Sequence, residues 1–205
     1  GAAGGVSNDF GIPGVREHGF PLKNVPDAVN LRNHILRQFE RYDRKRDRAG
    51  AGTLNFVIVG GGPTGVEMAG ALVELFDTLD DDFAAFHPTD QARCVLLEME
   101  EDLLPPYEQP QRDYPRRVLE ERGVEVLTST AVDRVEEEAV HLNDGSTIPT
   151  ETLIWAAGVK ASPVADMFGV EQSRDGRVIV QRDLSVPGHP EVFAIGDMAA
   201  INGEE

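Results

Sequence analysis

The first quarter of the chain changes from a segment broken by glycine and proline to one with a helical apolar period. Residues 1–26 include FGIPG and FPLKNVP, and these turn-forming residues predict an extended lead-in. Between Val29 and Phe39, apolar residues recur at the spacing of one helix face. The pattern therefore predicts a helix over about 27–47, which the glycines of GAG at 50–52 end.

The middle of the chain alternates apolar runs of β type with amphipathic segments. A mostly apolar run at 54–59 leads into three consecutive glycines, which is the pattern of a buried strand followed by a tight turn. The elements predicted after that turn are a helix at 63–79, a strand at 94–100, a helix at 111–122 and a strand at 124–130. Strands that alternate with helices predict a parallel sheet and an α/β fold.

The apolar period changes to two beyond the last of these strands. VHL and TIPTETLIW, on either side of an Asn143-Asp144-Gly145 turn, are typical of strands in an antiparallel meander. We treat TIPTETLIW, residues 147–155, as one strand of that meander, and we expect further short strands in RVIVQRDLSV and VFAIGD. The complete pattern predicts a Rossmann-like domain with a central parallel sheet and an antiparallel β-meander.

Composition excludes several classes of function. The 205 residues carry 36 acids against 19 Lys and Arg, and the formal charge of −17 argues against nucleic acid as a partner. No apolar run reaches the roughly 20 residues that span a bilayer. The single cysteine, Cys94, lies in an apolar run and is predicted to be a buried, unreactive thiol. The five histidines show no ligand spacing, so no metal site is predicted.

The glycines after the first strand form a G-x-G-x-x-G pattern. In the dinucleotide fold the first glycine permits the tight turn, the second lets the backbone approach a pyrophosphate, and the third lets helix and strand pack closely. The free N–H groups and positive dipole end of the following helix favour anionic phosphates. The pattern therefore predicts a dinucleotide site formed by Gly60, Gly61, Gly62, Pro63, Thr64 and Gly65. A carboxylate, Glu67, follows these glycines and is expected to be buried.

A second acidic position is expected at the end of the next strand. Glu98 ends CVLLE, where a carboxylate accepts hydrogen bonds from the adenosine ribose hydroxyls and repels a 2′-phosphate. An acidic loop after the first helix accounts for its unusually long distance from the glycines. Glu100, Glu101 and Asp102 are nearby alternatives for the same role. The pattern favours NAD(H) over NADP(H).

Several motifs taken together resemble one family. VIVGGGPTGVEMAGAL, LLEMEEDLLP, RRVLEERGVEVLTSTAV, LIWAAGV and GHPEVFAIGDMAA are similar to segments of type II NADH dehydrogenases and occur in the same order. These enzymes are flavoproteins of the pyridine nucleotide–disulfide oxidoreductase class. In that family a split domain holds FAD and the NADH-binding domain is inserted into it. NADH reduces the flavin, and the flavin reduces a membrane quinone.

The resemblance implies roles for individual residues. Ala157, Gly158 and Val159 correspond to the nicotinamide half of the NADH site, and Gly196 and Asp197 to a segment that binds the FAD ribityl chain. Glu67 corresponds to a catalytic glutamate near nicotinamide and flavin. An alternative role for Glu67 is electrostatic, because an acid in a first helix turn stabilises the helix N-terminus.

Departures from the family pattern indicate which part of a family member this chain is expected to represent. No glycine motif for FAD precedes residue 50, and neither a quinone-facing segment nor amphipathic anchoring helices follow Glu205. We therefore expect an excised NADH-binding domain, flanked by remnants of the split FAD domain, that binds NAD(H) but purifies without FAD. The predicted parts are a lead-in and helix at 1–52, the NAD(H)-binding domain with its meander at 53–160, and a return segment at 161–205.

Two other functions fit the same motifs. One is a different pyridine nucleotide-dependent flavoprotein reductase, of the ferredoxin or rubredoxin reductase type. The other is a non-catalytic module that binds NAD(H). Whichever function the complete protein has, the isolated chain is expected to be inactive as an enzyme. For the complete protein the resemblance implies a cytoplasmic enzyme that is peripheral on the inner face of the cell membrane, and it allows a homodimer.

We predict that salt raises the stability of the protein. The excess of 36 acids over 19 bases produces net repulsion in the compact state, and salt screens this repulsion beyond about 8–10 Å at physiological ionic strength. The melting temperature should therefore rise from low salt to molar potassium chloride. A flat or falling melting temperature would show that repulsion does not limit stability.

Overall fold

The computed structural model describes residues 1–45, 49–84 and 86–201. The α-helices are α1 (Val15–His18), α2 (Val25–Lys45), α3 (Pro63–Thr78), α4 (Pro88–Gln91) and α5 (Gln109–Glu121). Two 3₁₀ helices, Pro163–Phe168 and Gly196–Met198, occur near the end of the described chain. The predicted helices at 27–47, 63–79 and 111–122 correspond to α2, α3 and α5, and the last two positions of the first prediction, 46 and 47, lie outside the described residues.

The strands are short and are distributed along the whole chain. They are β1 (Gly5–Ser7), β2 (Gly19–Pro21), β3 (Asn55–Val59), β4 (Arg93–Leu97), β5 (Glu125–Leu127), β6 (Val132–Glu136), β7 (Ala139–Leu142), β8 (Thr147–Pro149), β9 (Thr152–Trp155), β10 (Val159–Ala161), β11 (Val178–Val180), β12 (Ser185–Val186), β13 (His189–Phe193) and β14 (Ala199–Ile201).

The chain divides into two compact units, and the larger one comprises Asp9–Ala157. Its centre is a five-stranded sheet of order β2-β9-β3-β4-β5, in which all pairs are parallel. A separate antiparallel sheet of order β6-β7-β8 forms the meander. This arrangement confirms the predicted α/β fold with a parallel sheet and a meander.

Alternate residues of the central strands enter two different cores. In β3, Phe56 and Ile58 join the core that includes α2, α3 and α5, whereas Val57 and Val59 join the core that includes the meander. Each strand residue faces opposite to its neighbour, so a strand covered on both faces needs a continuous apolar run. The run NFVIV meets this requirement because Phe56, Val57 and Ile58 are each fully buried.

The prediction that 147–155 forms one meander strand is wrong. Only β8 pairs with β7 in the meander, and β9 instead lies between β2 and β3 in the parallel sheet. The Thr150 hydroxyl donates to the carbonyl of Asn55 at 2.6 Å and accepts from the N–H of Thr152 at 3.0 Å. These bonds stabilise the turn that redirects the chain, and all four residues of β9 are buried as in a central strand.

The lead-in is more structured than the predicted extended segment. Glycine and proline break the local period, but Gly19–Pro21 pairs in parallel with β9 and forms an edge of the central sheet. Pro21 is compatible with this edge position because a proline cannot donate to a neighbouring strand. The tertiary pairing therefore overrides the weak local signal.

The smaller unit comprises residues 1–8 and the described residues from Gly158 onward. It contains the antiparallel pairs β1–β10 and β12–β13 and the parallel pair β11–β14. Its buried core consists of Ala161, Ala165, Val178, Val180, Val186, Ala194 and Met198. The division predicted at 1–52, 53–160 and 161–205 stays a prediction.

Among the described residues, no helix is both long enough and apolar enough to span a bilayer.

A half-buried polar network attaches α2 to the start of β9. His34 Nε2 lies 2.9 Å from Thr152 Oγ1 and 3.1 Å from the carbonyl oxygen of Glu151, and Gln38 Nε2 lies 3.0 Å from the same ring nitrogen. Arg41 pairs with the Glu151 carboxylate. Burial lowers the pKa of His34 below its ordinary value of 6.5, because the charged ring would lose water that the protein does not replace.

We predict that His34 makes the protein less stable in mild acid. Above pH 6.5 the ring is neutral in both states, and as the pH falls from 6.5 through the lowered pKa the unfolded chain takes up the proton first. The free energy of unfolding, measured with urea between pH 7.5 and 5.5, should therefore fall less in His34→Gln than in the wild type. The exposed His18 provides a matched control, His18→Gln, which should keep the wild-type slope. An unchanged slope in His34→Gln would contradict the prediction.

Candidate functional site

The turn between β3 and α3 contains two glycines, Gly60 and Gly65, that cannot be replaced without conflict with backbone atoms. Gly60 has a φ of 110°, and its N–H donates to the carbonyl of Leu97 at 2.8 Å. A Cβ on Gly60 would lie 2.9 Å from backbone atoms of Ala156, and one on Gly65 would lie 1.8 Å from the Gly60 carbonyl oxygen. The strand end and the helix start thus approach so closely that no side chain fits between them.

Gly62 differs from its neighbours because its surroundings are open. A Cβ added to Gly62 would meet no described atom within 4 Å, and its φ of −73° is accessible to any residue. Sterics inside the protein therefore do not require a glycine here. An open glycine next to two tightly packed ones is the arrangement expected where a ligand approaches the backbone.

The N-terminus of α3 offers backbone donors at this open position. Pro63 is the first helical residue and has no N–H, and the Val66 N–H donates to the Gly62 carbonyl at 3.0 Å. Within the described chain, the N–H groups of Gly62, Thr64 and Gly65 have no acceptor, as is usual for a first helix turn. That turn contains no acidic residue, so no carboxylate competes with an anion there.

Glu98 directly follows β4, the strand next to the glycine turn, and contacts the turn through a hydrogen bond. Glu98 is 8% exposed, and its Oε2 accepts from the Gly61 N–H at 2.5 Å. Its Oε1 accepts from the N–H of Glu100 at 2.9 Å. The predicted ribose-binding carboxylate therefore lies beside the predicted phosphate-binding turn.

The three alternative acids are placed differently. Glu100 and Glu101 are exposed, and Asp102 accepts from Arg112 Nη1 at 3.0 Å. Glu98 is thus the acid at this sheet edge whose carboxylate is bonded to the glycine turn. The geometry favours Glu98 over these alternatives for a role at the site.

Glu67 is exposed, which contradicts the expected burial. It lies four residues beyond Pro63, past the first turn of α3. A role in stabilising the helix N-terminus is therefore less favourable than the sequence suggested, because that effect decays within one turn. Glu67 instead lines an open groove together with Pro63, Val66, Leu104, Tyr107 and Gln111.

Two residues of this groove were not predicted from the sequence. Leu104 has a φ of 54°, which is unusual for a residue with a side chain, and its N–H donates to the Gly61 carbonyl at 2.8 Å. Tyr107 follows in the same loop and is 46% exposed. The surrounding LLPPYEQP segment indicates a proline-broken loop but contains no signal for these contacts.

The other predicted site residues lie near the boundary of the two units or in the smaller unit. Ala157 is the last residue of the larger unit, and Gly158 and Val159 belong to the smaller one. Gly158 has a φ of 73°, and Val159 begins β10. Gly196 has a φ of 69° and Asp197 follows it in a 3₁₀ helix.

Cysteine and metal chemistry are separate from the glycine turn. Cys94 is 1% exposed, which confirms its predicted burial, and burial raises the pKa of its thiol to about 12, as expected of an unreactive thiol. Asp80, Asp81 and His87 bring ligand-type atoms within 4.8 Å of one another on the surface, and exposed acidic groups of this kind are common without an ion. The predicted lack of a metal site stays a prediction.

Solved structures with the same fold include an NDH2 from Plasmodium falciparum in complex with NADH. It aligns with a TM-score of 0.85 at 24% identity and covers 98% of this chain and 43% of that one. A ferredoxin reductase from Rhodopseudomonas palustris aligns with a TM-score of 0.72 at 17% identity, and 98% of this chain is covered. These structural similarities show that the chain shares the fold of these two proteins.

Sequence relatives are more specific. The type II NADH:quinone oxidoreductase Ndh of Mycobacterium tuberculosis is 38% identical over 212 residues, which is 98% of this chain and 46% of that protein. A type II NADH:quinone oxidoreductase of Staphylococcus haemolyticus is 31% identical over 209 residues, which is 100% of this chain and 51% of that protein. The chain thus spans about half the length of these relatives, and they confirm the resemblance to type II NADH dehydrogenases.

A family model described as pyridine nucleotide-disulphide oxidoreductase matches residues 2–204. Since this match extends over nearly the whole chain, the protein belongs to the pyridine nucleotide-disulphide oxidoreductase family.

Proposed function

We propose that this chain is the NAD(H)-binding part of an FAD-dependent NADH dehydrogenase that passes hydride from NADH to FAD and electrons on to quinone. The observation that carries the proposal is the glycine turn. Gly60 and Gly65 are required by packing against backbone atoms, whereas Gly62 lies in open surroundings and its N–H has no acceptor in the described chain. A backbone that is left open at a helix N-terminus suits a diphosphate.

The diphosphate would lie against the N–H groups of Gly62, Thr64 and Gly65. These donors belong to the helix start and have no acceptor within the described chain, and the partial positive charge of the helix end favours an anion. Gly60 and Gly61 bond within the protein instead, since their N–H groups donate to Leu97 and Glu98. Their role is to shape the turn.

The adenosine half would extend toward β4, where Glu98 lies. An ionised carboxylate has about four acceptor positions, and backbone N–H groups use two of them. The remaining positions suit the two ribose hydroxyls. The same negative charge would repel a 2′-phosphate, so NADH is favoured over NADPH.

The nicotinamide half is the part that Glu67, Ala157, Gly158 and Val159 would serve. Glu67 is exposed on α3 and can therefore reach a bound ligand. Its carboxylate would orient the carboxamide and stabilise the positive charge that develops on the ring as hydride leaves. Ala157, Gly158 and Val159 would supply backbone to the same half.

Gly196 and Asp197 would supply the part of a flavin site that lies in this chain. The surroundings of Gly196 are open, because a Cβ there would meet no described atom within 4 Å. Asp197 would accept a hydrogen bond from the ribityl chain. When bound, FAD would take up hydride from NADH.

The relatives favour a quinone-linked dehydrogenase over the other two functions. Proteins at 31% and 38% identity carry the name type II NADH:quinone oxidoreductase, whereas the likeness to a ferredoxin reductase is at 17% identity and concerns the fold. Quinone, a cytoplasmic position on the inner face of the cell membrane and a homodimer belong to the same proposal for the complete protein.

We predict that two glycine substitutions in the turn affect different properties, one the affinity for NADH and the other the melting temperature. Gly62→Ala should leave the melting temperature unchanged, because the new methyl group meets no protein atom. It should weaken NADH binding by roughly tenfold or more, because the methyl group displaces a phosphate from its charge-assisted hydrogen bonds. Gly65→Ala should lower the melting temperature, since its methyl group would lie 1.8 Å from the Gly60 carbonyl oxygen.

Calorimetric titration and thermal melts measure both effects. Gly70→Ala on the same helix is a control, since the nearest atom to its added Cβ is 4.0 Å away. Wild-type NADH affinity in Gly62→Ala would refute a diphosphate at this turn.

We predict that Glu98→Ala narrows the preference for NADH over NADPH. The substitution removes the carboxylate that repels a 2′-phosphate and accepts from the ribose. The ratio of the two dissociation constants, measured by calorimetry, should move toward one. Glu101→Ala removes an exposed acid nearby and should keep the wild-type ratio. If Glu101→Ala changes the ratio and Glu98→Ala does not, ribose recognition belongs to the neighbour.

We predict that Glu67→Gln in the complete flavoprotein slows flavin reduction with little effect on adenosine recognition. Loss of one electrostatic contact, worth about 1.4–2.8 kcal/mol, corresponds to a roughly ten- to hundredfold slower rate. Stopped-flow reduction of FAD by NADH measures the rate, and the dissociation constant is measured separately. Glu74→Gln, an exposed acid on the same helix, should react at the wild-type rate. A wild-type rate in Glu67→Gln would remove Glu67 from the redox site.

A further inference from the structure

The peptide groups around Gly61 are held by the loop that follows β4. The Gly61 N–H donates to Glu98 Oε2 at 2.5 Å, and the Gly61 carbonyl accepts from the Leu104 N–H at 2.8 Å. Leu103 packs so closely that a Cβ on Gly61 would lie 2.6 Å from its Cδ2. The middle of the glycine turn is thus fixed by side chain, backbone and packing contacts from one loop.

Glu98 is itself held rigidly. Its N–H donates to the Leu127 carbonyl of β5, and its carbonyl accepts from the N–H of Thr130, each at 2.9 Å. Its second carboxylate oxygen accepts from the Glu100 N–H. Glu98 therefore connects the glycine turn to the neighbouring strand through bonds at both its backbone and its side chain.

We propose that Glu98 is a positioning residue for the phosphate-binding turn, in addition to its role toward the ribose. Its carboxylate fixes the Gly60–Gly61 peptide, and the Leu104 N–H fixes the next peptide, which carries the Gly62 N–H, so the two bonds together set the path of the turn. This inference rests on the proposed function, because it assigns the fixed turn to a diphosphate. A buried N–H that lost this acceptor would be unpaired, and the turn would open to satisfy it.

The arrangement also determines which donors a diphosphate meets. Since the Gly61 N–H is used by Glu98, the donors that remain are those of Gly62, Thr64 and Gly65. Two oxygens that each accept one N–H still have free acceptor positions. Glu98 can therefore hold the turn and accept ribose hydroxyls together, so binding does not have to break the bond to Gly61.

Amide hydrogen exchange of the 205-residue chain without ligand tests this proposal. In Glu98→Gln the amide side chain keeps one acceptor oxygen for two N–H groups. The Gly61 amide should exchange roughly ten- to a hundredfold faster, the scale of one lost hydrogen bond to a charged group. Glu101→Gln removes the same charge from an exposed neighbour and should leave Gly61 unchanged. The amide of buried Ile58 in β3 reports global opening and should exchange as in the wild type.

An unchanged Gly61 exchange rate in Glu98→Gln would overturn the proposal, as would equal acceleration at Ile58, which would indicate general destabilisation. If Glu98→Gln does not fold, the wild-type chain supplies a second measurement. A scalar coupling across the hydrogen bond from the Gly61 amide nitrogen to the Glu98 carboxyl carbon should be detectable, and its absence would refute the contact. Both readouts are ligand-free, so failure of the chain to bind NADH would refute the proposed function and leave this result standing.

Discussion

The close approach of β3 and α3 is the constraint on which the site depends. With the Gly65 backbone against the Gly60 carbonyl, the helix begins directly after the strand end, and the N–H groups of Gly62, Thr64 and Gly65 at its start have no acceptor in the described chain. A side chain at either tight glycine would push the helix away and misdirect these donors. The lack of a side chain at Gly60 and Gly65 thus determines where an anion can bind.

The rest of the larger unit holds this contact in place. β3 is buried on both faces, with Phe56 and Ile58 packed toward α2 and α3 and Val57 and Val59 toward the meander side. The strand therefore cannot shift without exposing one of two apolar cores. The loop after β4 adds a second restraint because it bonds Gly61 through Glu98 and Leu104. Packing fixes the strand, and hydrogen bonds fix the turn.

Local periodicity predicts the elements whose signal is strong within one segment. The helical period between Val29 and Phe39 predicts α2, and the glycine spacing predicts the tight turn. The prediction for TIPTETLIW fails because the segment joins two different strands, the alternating TIP of β8 and the continuously buried TLIW of β9. The bond from Thr150 to Asn55, which is distant in sequence, stabilises the turn between them. The exposure of Glu67 and the contacts of Leu104 also depend on tertiary packing, which the residues nearby in sequence do not encode.

The central claim is that the open side of the glycine turn receives the diphosphate of NADH. Amide resonances of the 205-residue chain, followed during titration with NADH, test it most directly. The largest shifts should occur at Gly62, Thr64 and Gly65, with smaller ones around Glu98. A polar cavity elsewhere in the same unit, lined by Phe20, Asn30 and His34 among others, provides the contrast. Shifts confined to that cavity, with no change at the glycine turn, would contradict the account.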